Sequence, residues 1–159
     1  MSRDVELTTL LERVVASGAE FVLVGGLAAV AQGAPISTYD VDIVHRRTPE
    51  NVNRIIAFLT EVNARYRNRP GAPIAPDART LLGPGHSLLM TDLGPLDLLG
   101  TIEEGLGYDD LLGQSRTVEL GGSTLRVLAL ETIVRLKRMS NDNKDKLRLP
   151  VLEETLRRR

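Results

Sequence analysis

Residues 21–45 read FVLVGGLAAVAQGAPISTYDVDIVH, and the way this stretch folds organises the rest of the chain. Phe21, Val22, Leu23 and Val24 form a short continuous apolar run, the pattern of a strand covered on both faces and therefore central in its sheet. Gly25-Gly26 then allows a sharp turn and a close backbone approach to a ligand. Leu27 to Gln32 reads as a short helix, followed by a polar loop and a second strand carrying Asp40 and Asp42. Side chains alternate along a strand, so both carboxylates project to one face, roughly 6.5 to 7 Å apart along the backbone. Aspartate is a poor strand former, and two ionised carboxylates on one face of a Val- and Ile-rich strand repel each other and lose hydration. The pattern predicts a positive partner, and its spacing suits a divalent cation.

The glycine pair is placed to receive phosphate, because the helix after it offers free N–H groups and a positive dipole end. Taken alone, Gly-Gly after a strand also fits a plain tight turn. Ser37 and Thr38 supply hydroxyl donors just ahead of the acidic strand, although short polar residues there also shape turns. A third carboxylate lies further along, in HSLLMTDLGPLDLL (86–99). This segment reads as two strands joined by a turn at Leu93-Gly94-Pro95, with Asp97 between Leu96 and Leu98. A lone carboxylate among leucines is costly unless paired, hydrogen-bonded or bound to metal.

The surrounding pattern supplies a frame. Leu7, Leu10, Leu11 and Val14 mark an amphipathic helix over 4–17, capped at Gly18. Thr48-Pro49-Glu50 is a helix start, and Val52, Ile55, Ile56, Leu59 and Val62 continue it as a core-facing stripe. Residues 68–85 hold four prolines and read as an irregular surface loop. Residues 100–115 read as a solvated loop or short helix. Thr117–Leu120 and Thr124–Leu128 flank Gly121-Gly122, a hairpin signal. Leu130–Met139 is an amphipathic helix bearing Lys137, and a last helix follows Asn143, expected to be cut or kinked at Pro150. No repeat appears, so residues 1–159 are expected to form one domain, with a core to about 128 and C-terminal helices from about 129.

Composition narrows the function classes. The 159 residues carry a formal net charge of -1, so no chain-wide basic field marks a dedicated nucleic-acid binder. With no cysteine, any metal must take oxygen ligands or the two histidines, and oxygen donors favour Mg2+ or Mn2+. No apolar run is long enough to span a bilayer and the N-terminus lacks a signal-peptide layout, so a cytoplasmic protein without membrane contact is expected.

Gly25-Gly26, Ser37-Thr38-Tyr39-Asp40-Val41-Asp42 and Asp97 in an apolar strand together resemble the active-site pattern of the polymerase-beta-like nucleotidyltransferase superfamily. The closer likeness is to small bacterial members with a GG turn and a T-x-D-x-D strand, including those of abortive-infection and toxin-antitoxin systems. Leu130 to Lys137 followed by Lys144-Asp145 is similar to their helical end. The resemblance implies an α/β (α+β) fold, a mixed β-sheet flanked by helices with a short helical C-terminal segment. It implies a nucleoside triphosphate (NTP) substrate with ATP among the candidates, phosphates at Gly25 and Gly26 with Ser37, Thr38 and Lys137 nearby, and magnesium or manganese held by Asp40, Asp42 and Asp97. The reaction implied is transfer of a nucleoside monophosphate to a hydroxyl on RNA, protein or a small molecule, by two-metal catalysis.

One departure bears on this. Related sequences often carry an arginine shortly before the threonine, where this chain has Pro35-Ile36-Ser37. Its task would pass to Arg46, Arg47 or Lys137, or the chain would be a catalytically silent nucleotide- or partner-binding module with a cognate partner protein. His45 falls on the face opposite the acids and reads as structural or exposed, and His86 as a minor residue. Arg65, Tyr66, Arg67 and Arg69 suit either single-stranded RNA or the negative end of a helix.

Overall fold

The computed structural model describes residues 3–159, with side chains from Glu6 onward. In chain order the elements are α1 (Arg3–Ala16), β1 (Phe21–Val24), α2 (Gly25–Ala31), β2 (Val41–His45), α3 (Pro49–Glu61) and β3 (Arg65–Tyr66). They continue with α4 (Ala78–Leu81), β4 (His86–Thr91), β5 (Gly94–Leu99), α5 (Tyr108–Leu112), β6 (Ser115–Leu120), β7 (Ser123–Leu128), α6 (Leu130–Arg138) and α7 (Asn143–Arg157). One seven-stranded sheet runs in the order β3-β4-β5-β2-β1-β7-β6. It is mixed: β1 pairs antiparallel with β2 but parallel with β7, and β2 pairs parallel with β5.

The apolar run of β1 is buried at every position, as a central strand requires. Leu7, Leu10, Leu11 and Val14 of α1 are buried, as are Val52, Ile55, Phe58 and Leu59 of α3. Thr48 caps α3 by accepting from Asn51 N, with Pro49 in the first turn. The Asn51 side chain is itself buried, and it donates to the carbonyls of Glu20 and Arg46 while accepting from Glu20 N at 2.7 Å. It thereby locks the entry of β1 to the exit of β2. Gln32 does the same for the helices, donating to Leu128 O at 2.8 Å and accepting from Leu130 N at 2.8 Å. That bond fixes α2, and with it the glycine pair, relative to α6.

Several boundaries differ from the sequence expectation. Gly25 and Gly26 form the first turn of α2 rather than a separate turn before it. The β4–β5 turn falls at Asp92-Leu93, where Thr91 accepts from Leu93 N and donates to Gly94 O, so Gly94 and Pro95 already belong to β5. The proline-rich segment contains α4, capped by Asp77 onto Thr80 N at 2.8 Å. Helix α7 runs through Pro150 without being cut. A proline removes one backbone bond, and here buried Leu152 and the packing of α7 on α6 hold the helix together. Among the described residues no helix is long and apolar enough to cross a membrane.

Candidate functional site

Strand register assembles the acids. Asp42 in β2 stands opposite Val24 of β1 on one side and Asp97 of β5 on the other. Asp40 lies one residue before β2, on the face that Asp42 shares. One carboxylate oxygen from each of Asp40, Asp42 and Asp97 lies within 4.8 Å of the others. Residues widely separated along the chain thus share one small volume.

Burial and mutual repulsion leave these groups short of positive charge. Burial first, then a hydrogen bond with Asp97 and the charge of Asp40, pushes the Asp42 carboxyl up to about 8. The Asp40 carboxyl is also raised, by burial and then by the charge of Asp97. Arg67 pulls both the other way without restoring them. Asp97 is buried, and its Oδ1 lies 2.6 Å from Arg67 Nη2. No N–H is aligned on that oxygen, which has no hydrogen-bond partner among the described residues. The contact is an ion pair whose angle falls outside hydrogen-bond geometry. Three converging carboxylates, two of them raised by burial and mutual repulsion, form the donor set that a hard divalent cation takes.

Nothing in the sequence directs Arg67 to the acids. In the structure its backbone N donates to Leu88 O at 3.0 Å and its Nη1 to Leu89 O at 2.8 Å, so the sheet edge itself aims the guanidinium at Asp97. Its neighbours act differently. Arg65 donates to Asn63 O just past the end of α3, and Arg69 stacks over the Tyr66 ring at 4.5 Å.

The other flank is built on the glycines. Gly25 has φ +71, and a Cβ there would stand 3.0 Å from Asp42 Cγ with Oδ2 nearer still. A Cβ on Gly26 would fall 2.8 Å from Thr38 Oγ1 and 3.1 Å from Arg148 Nη1. Arg148 donates through Nη2 to Ser37 O at 2.8 Å. Ser37 is exposed and Thr38 half-buried. A cavity of about 140 Å³ opens between Gly25, Asp42, Leu99, Leu136 and Lys137. Lys137 donates to Asp145 Oδ1 at 2.8 Å, and Ser140 to Asp145 Oδ2 at 2.6 Å. Burial opposes ionisation of Asp145, but these two donors outweigh it and hold its carboxyl below the usual range.

Arg46 and Arg47 stand apart from the cavity beside Gly25 and Asp42. They line a different cavity with Thr48 and Tyr108, and Arg46 pairs with Glu20 at 2.7 Å. His45 is buried away from the acids with Nε2 2.7 Å from Leu81 O, and burial lowers its pKa, so it donates to that carbonyl as a neutral ring. His86 is exposed and bonds Thr101 O.

No family model matches the chain, and no curated protein matches it in sequence. Solved structures do match. LnuA, a lincosamide antibiotic adenylyltransferase solved with lincomycin bound, aligns over 94% of this chain and 96% of its own, with TM-score 0.63 and 13% identity. This is the nucleotidyltransferase fold. The same fold relates the chain to TM1012, a candidate nucleotidyltransferase from Thermotoga maritima, at 22% identity and TM-score 0.53, covering 96% of this chain and 91% of that one. ANT(2'')-Ia, solved with adenylyl-2''-tobramycin, aligns at 14% identity and TM-score 0.60 over 94% of this chain and 88% of its own. Within the nucleotidyltransferase fold of this chain, the glycine pair and the three acids stand where β1, β2 and β5 lie side by side.

Proposed function

We propose that this protein transfers a nucleoside monophosphate from a nucleoside triphosphate to an acceptor hydroxyl. The observation that carries the reading is the convergence of Asp40, Asp42 and Asp97 beside the Gly25-Gly26 bend. Asp40, Asp42 and Asp97 would hold magnesium or manganese, which when bound neutralises phosphate charge and stabilises the attacking and leaving oxygens. The chain's own part is to bind and orient. Gly25 and Gly26 let the phosphates approach the backbone, and Lys137 adds positive charge along the same wall. Asp97 faces the acceptor and takes its proton as the hydroxyl oxygen bonds to the α-phosphorus. The bond from that phosphorus to the bridging oxygen breaks, and pyrophosphate leaves. No protein nucleophile is needed, so rate enhancement rests on positioning and electrostatics.

The acceptor is an RNA, a protein or a small molecule. Two of the structural neighbours are antibiotic-directed by name, which supports trying a small-molecule hydroxyl first. A second reading, a silent nucleotide- or partner-binding module of a toxin-antitoxin type, draws on one observation: Arg67 already sits against Asp97.

Incubation with each α-labelled triphosphate and Mg2+ or Mn2+, against antibiotic panels, total RNA and lysate, separates the readings. Label transferred by the intact protein and lost in Asp42→Ala supports the enzyme. Triphosphate binding without transfer to any acceptor supports the silent module.

A further inference from the structure

Helix α7 sends one long side chain back to the glycine bend, and the transfer reaction leaves it without a role. Arg148 reaches 111 residues upstream to the loop ahead of β2, where Nη2 donates to Ser37 O. Its other terminal nitrogen, Nη1, faces Gly26 and donates to no other group among the described residues. The glycine makes this approach possible, since any side chain at 26 would meet Thr38 Oγ1 and Nη1 together. One helical turn earlier on α7, Asp145 fixes Lys137, which lines the cavity with Gly25. Residues three apart share a helix face, so one face of α7 places two cations beside the two successive glycines. The charge of Arg148 also reaches Asp40, opposing the effect of its burial.

We propose that Arg148 is a phosphate ligand of the nucleotide, donating from Nη1 to the triphosphate as it lies along Gly25-Gly26. This rests on the nucleotidyl-transfer reading. It assigns to a distant helix the guanidinium missing from Pro35-Ile36-Ser37. The plainer role is a strut that ties α7 to the Ser37 loop. A strut needs only the Nη2 bond and gains nothing from an open Nη1 beside a glycine. A planar guanidinium with donors to spare is well matched to phosphate oxygens.

Calorimetry on the intact chain distinguishes the two roles. Each of the four ribonucleoside triphosphates and its matching monophosphate is titrated, with Mg2+, into wild type, Arg148→Gln and Arg148→Lys. The glutamine variant keeps an N–H donor but loses the charge. It should bind triphosphate about tenfold to a hundredfold more weakly, with a smaller loss for the monophosphate. The ratio of triphosphate to monophosphate affinity in the lysine variant should fall between the other two. Equal weakening of both ligands, or triphosphate affinity unchanged in Arg148→Gln, overturns the assignment and leaves a strut. Should the glutamine variant not fold, the lysine variant decides by the same ratio, which must lie below that of wild type. A wild-type protein that binds no triphosphate removes the nucleotidyl-transfer reading and this assignment with it. Wild-type binding matched by Arg148→Gln removes Arg148 alone.

Discussion

On the β1 side of Asp42 stand two glycines, a threonine hydroxyl, Lys137 and Arg148; on the β5 side stand Asp97, the Arg67 guanidinium and the exposed Leu88 opposite Asp97. Both flanks carry positive charge beside the same acids, yet they hold it differently. Arg67 has its backbone N on Leu88 O, Nη1 on Leu89 O and Nη2 against Asp97, which leaves little to offer a ligand. Arg148 is anchored by one nitrogen. The first flank is therefore suited to an incoming anion, while the second works as an internal counter-ion that keeps converging carboxylates tolerable. The second flank also leaves the Leu88 side chain exposed.

The contrast can be broken at its centre. Asp42→Ala removes the residue common to both flanks and should lower transfer activity on the order of 10³-fold, read as label transfer under saturating triphosphate. Breaking only the glycine flank comes next. Gly25→Ala combines an unfavourable positive φ with a clash on Asp42, and should cost about 2 kcal/mol or more in chemical denaturation. Gly33→Ala, where φ is +99 and nothing among the described residues lies within 4 Å, should cost about 1–2 kcal/mol from backbone strain alone. Equal losses in the two variants would deny that Gly25 is shaped by Asp42.

A pH series sharpens the picture of an under-neutralised cluster. The Asp42 carboxyl is raised from 3.8 to about 8 in the folded protein, so the folded state binds the proton more tightly than the unfolded chain. Its contribution to stability is full below 3.8 and is lost as the pH rises through about 8. In metal-free buffer, unfolding free energy should fall across that window by at most about 1.4 kcal/mol per pH unit. Asp42→Asn should flatten the curve, and Mn2+ should restore stability most at the alkaline end. An identical curve for wild type and Asp42→Asn would show that the Asp42 proton is not what links stability to pH. The smallest effect belongs to the counter-ion. Arg67→Ala should destabilise the metal-free protein by about 1 kcal/mol, discounted for partial exposure, and should gain more thermal stability from Mn2+ than wild type does. A smaller gain would mean that Arg67 positions Asp97 for the cation instead of substituting for the cation.

Much of the architecture was legible because it is local. The continuous apolar run of β1, the Thr48-Pro49 start of α3 and the Gly121-Gly122 hairpin each announce themselves within a few residues, and each appears where expected. Asp97 stood out because a carboxylate among leucines contradicts its surroundings. What local pattern does not show arrives from afar. Arg67 belongs to a basic run that looks like a surface patch, and only the pairing of the β3 edge with β4 turns it toward Asp97. Arg148 sits on a weakly patterned helix, and nothing near it in sequence marks Ser37 as its destination. The two-residue β3 and the four-residue α4 are too short to generate a period, while Pro150 read as a cut or a kink, and the packing that carries α7 through it uncut is not visible in a local rule. Lys137 borders the cavity, and the partner that fixes it, Asp145, lies eight residues on.

The most direct test of the shared cation site is Mn2+ binding measured by calorimetry in two buffers of different ionisation enthalpy, with and without triphosphate. Wild type should bind Mn2+ and release protons as it does so, because Asp42 holds a proton near neutral pH. Asp42→Ala and Asp97→Asn should each lose most of that binding. Binding by both variants equal to wild type, or no binding by wild type even with triphosphate, would contradict the account.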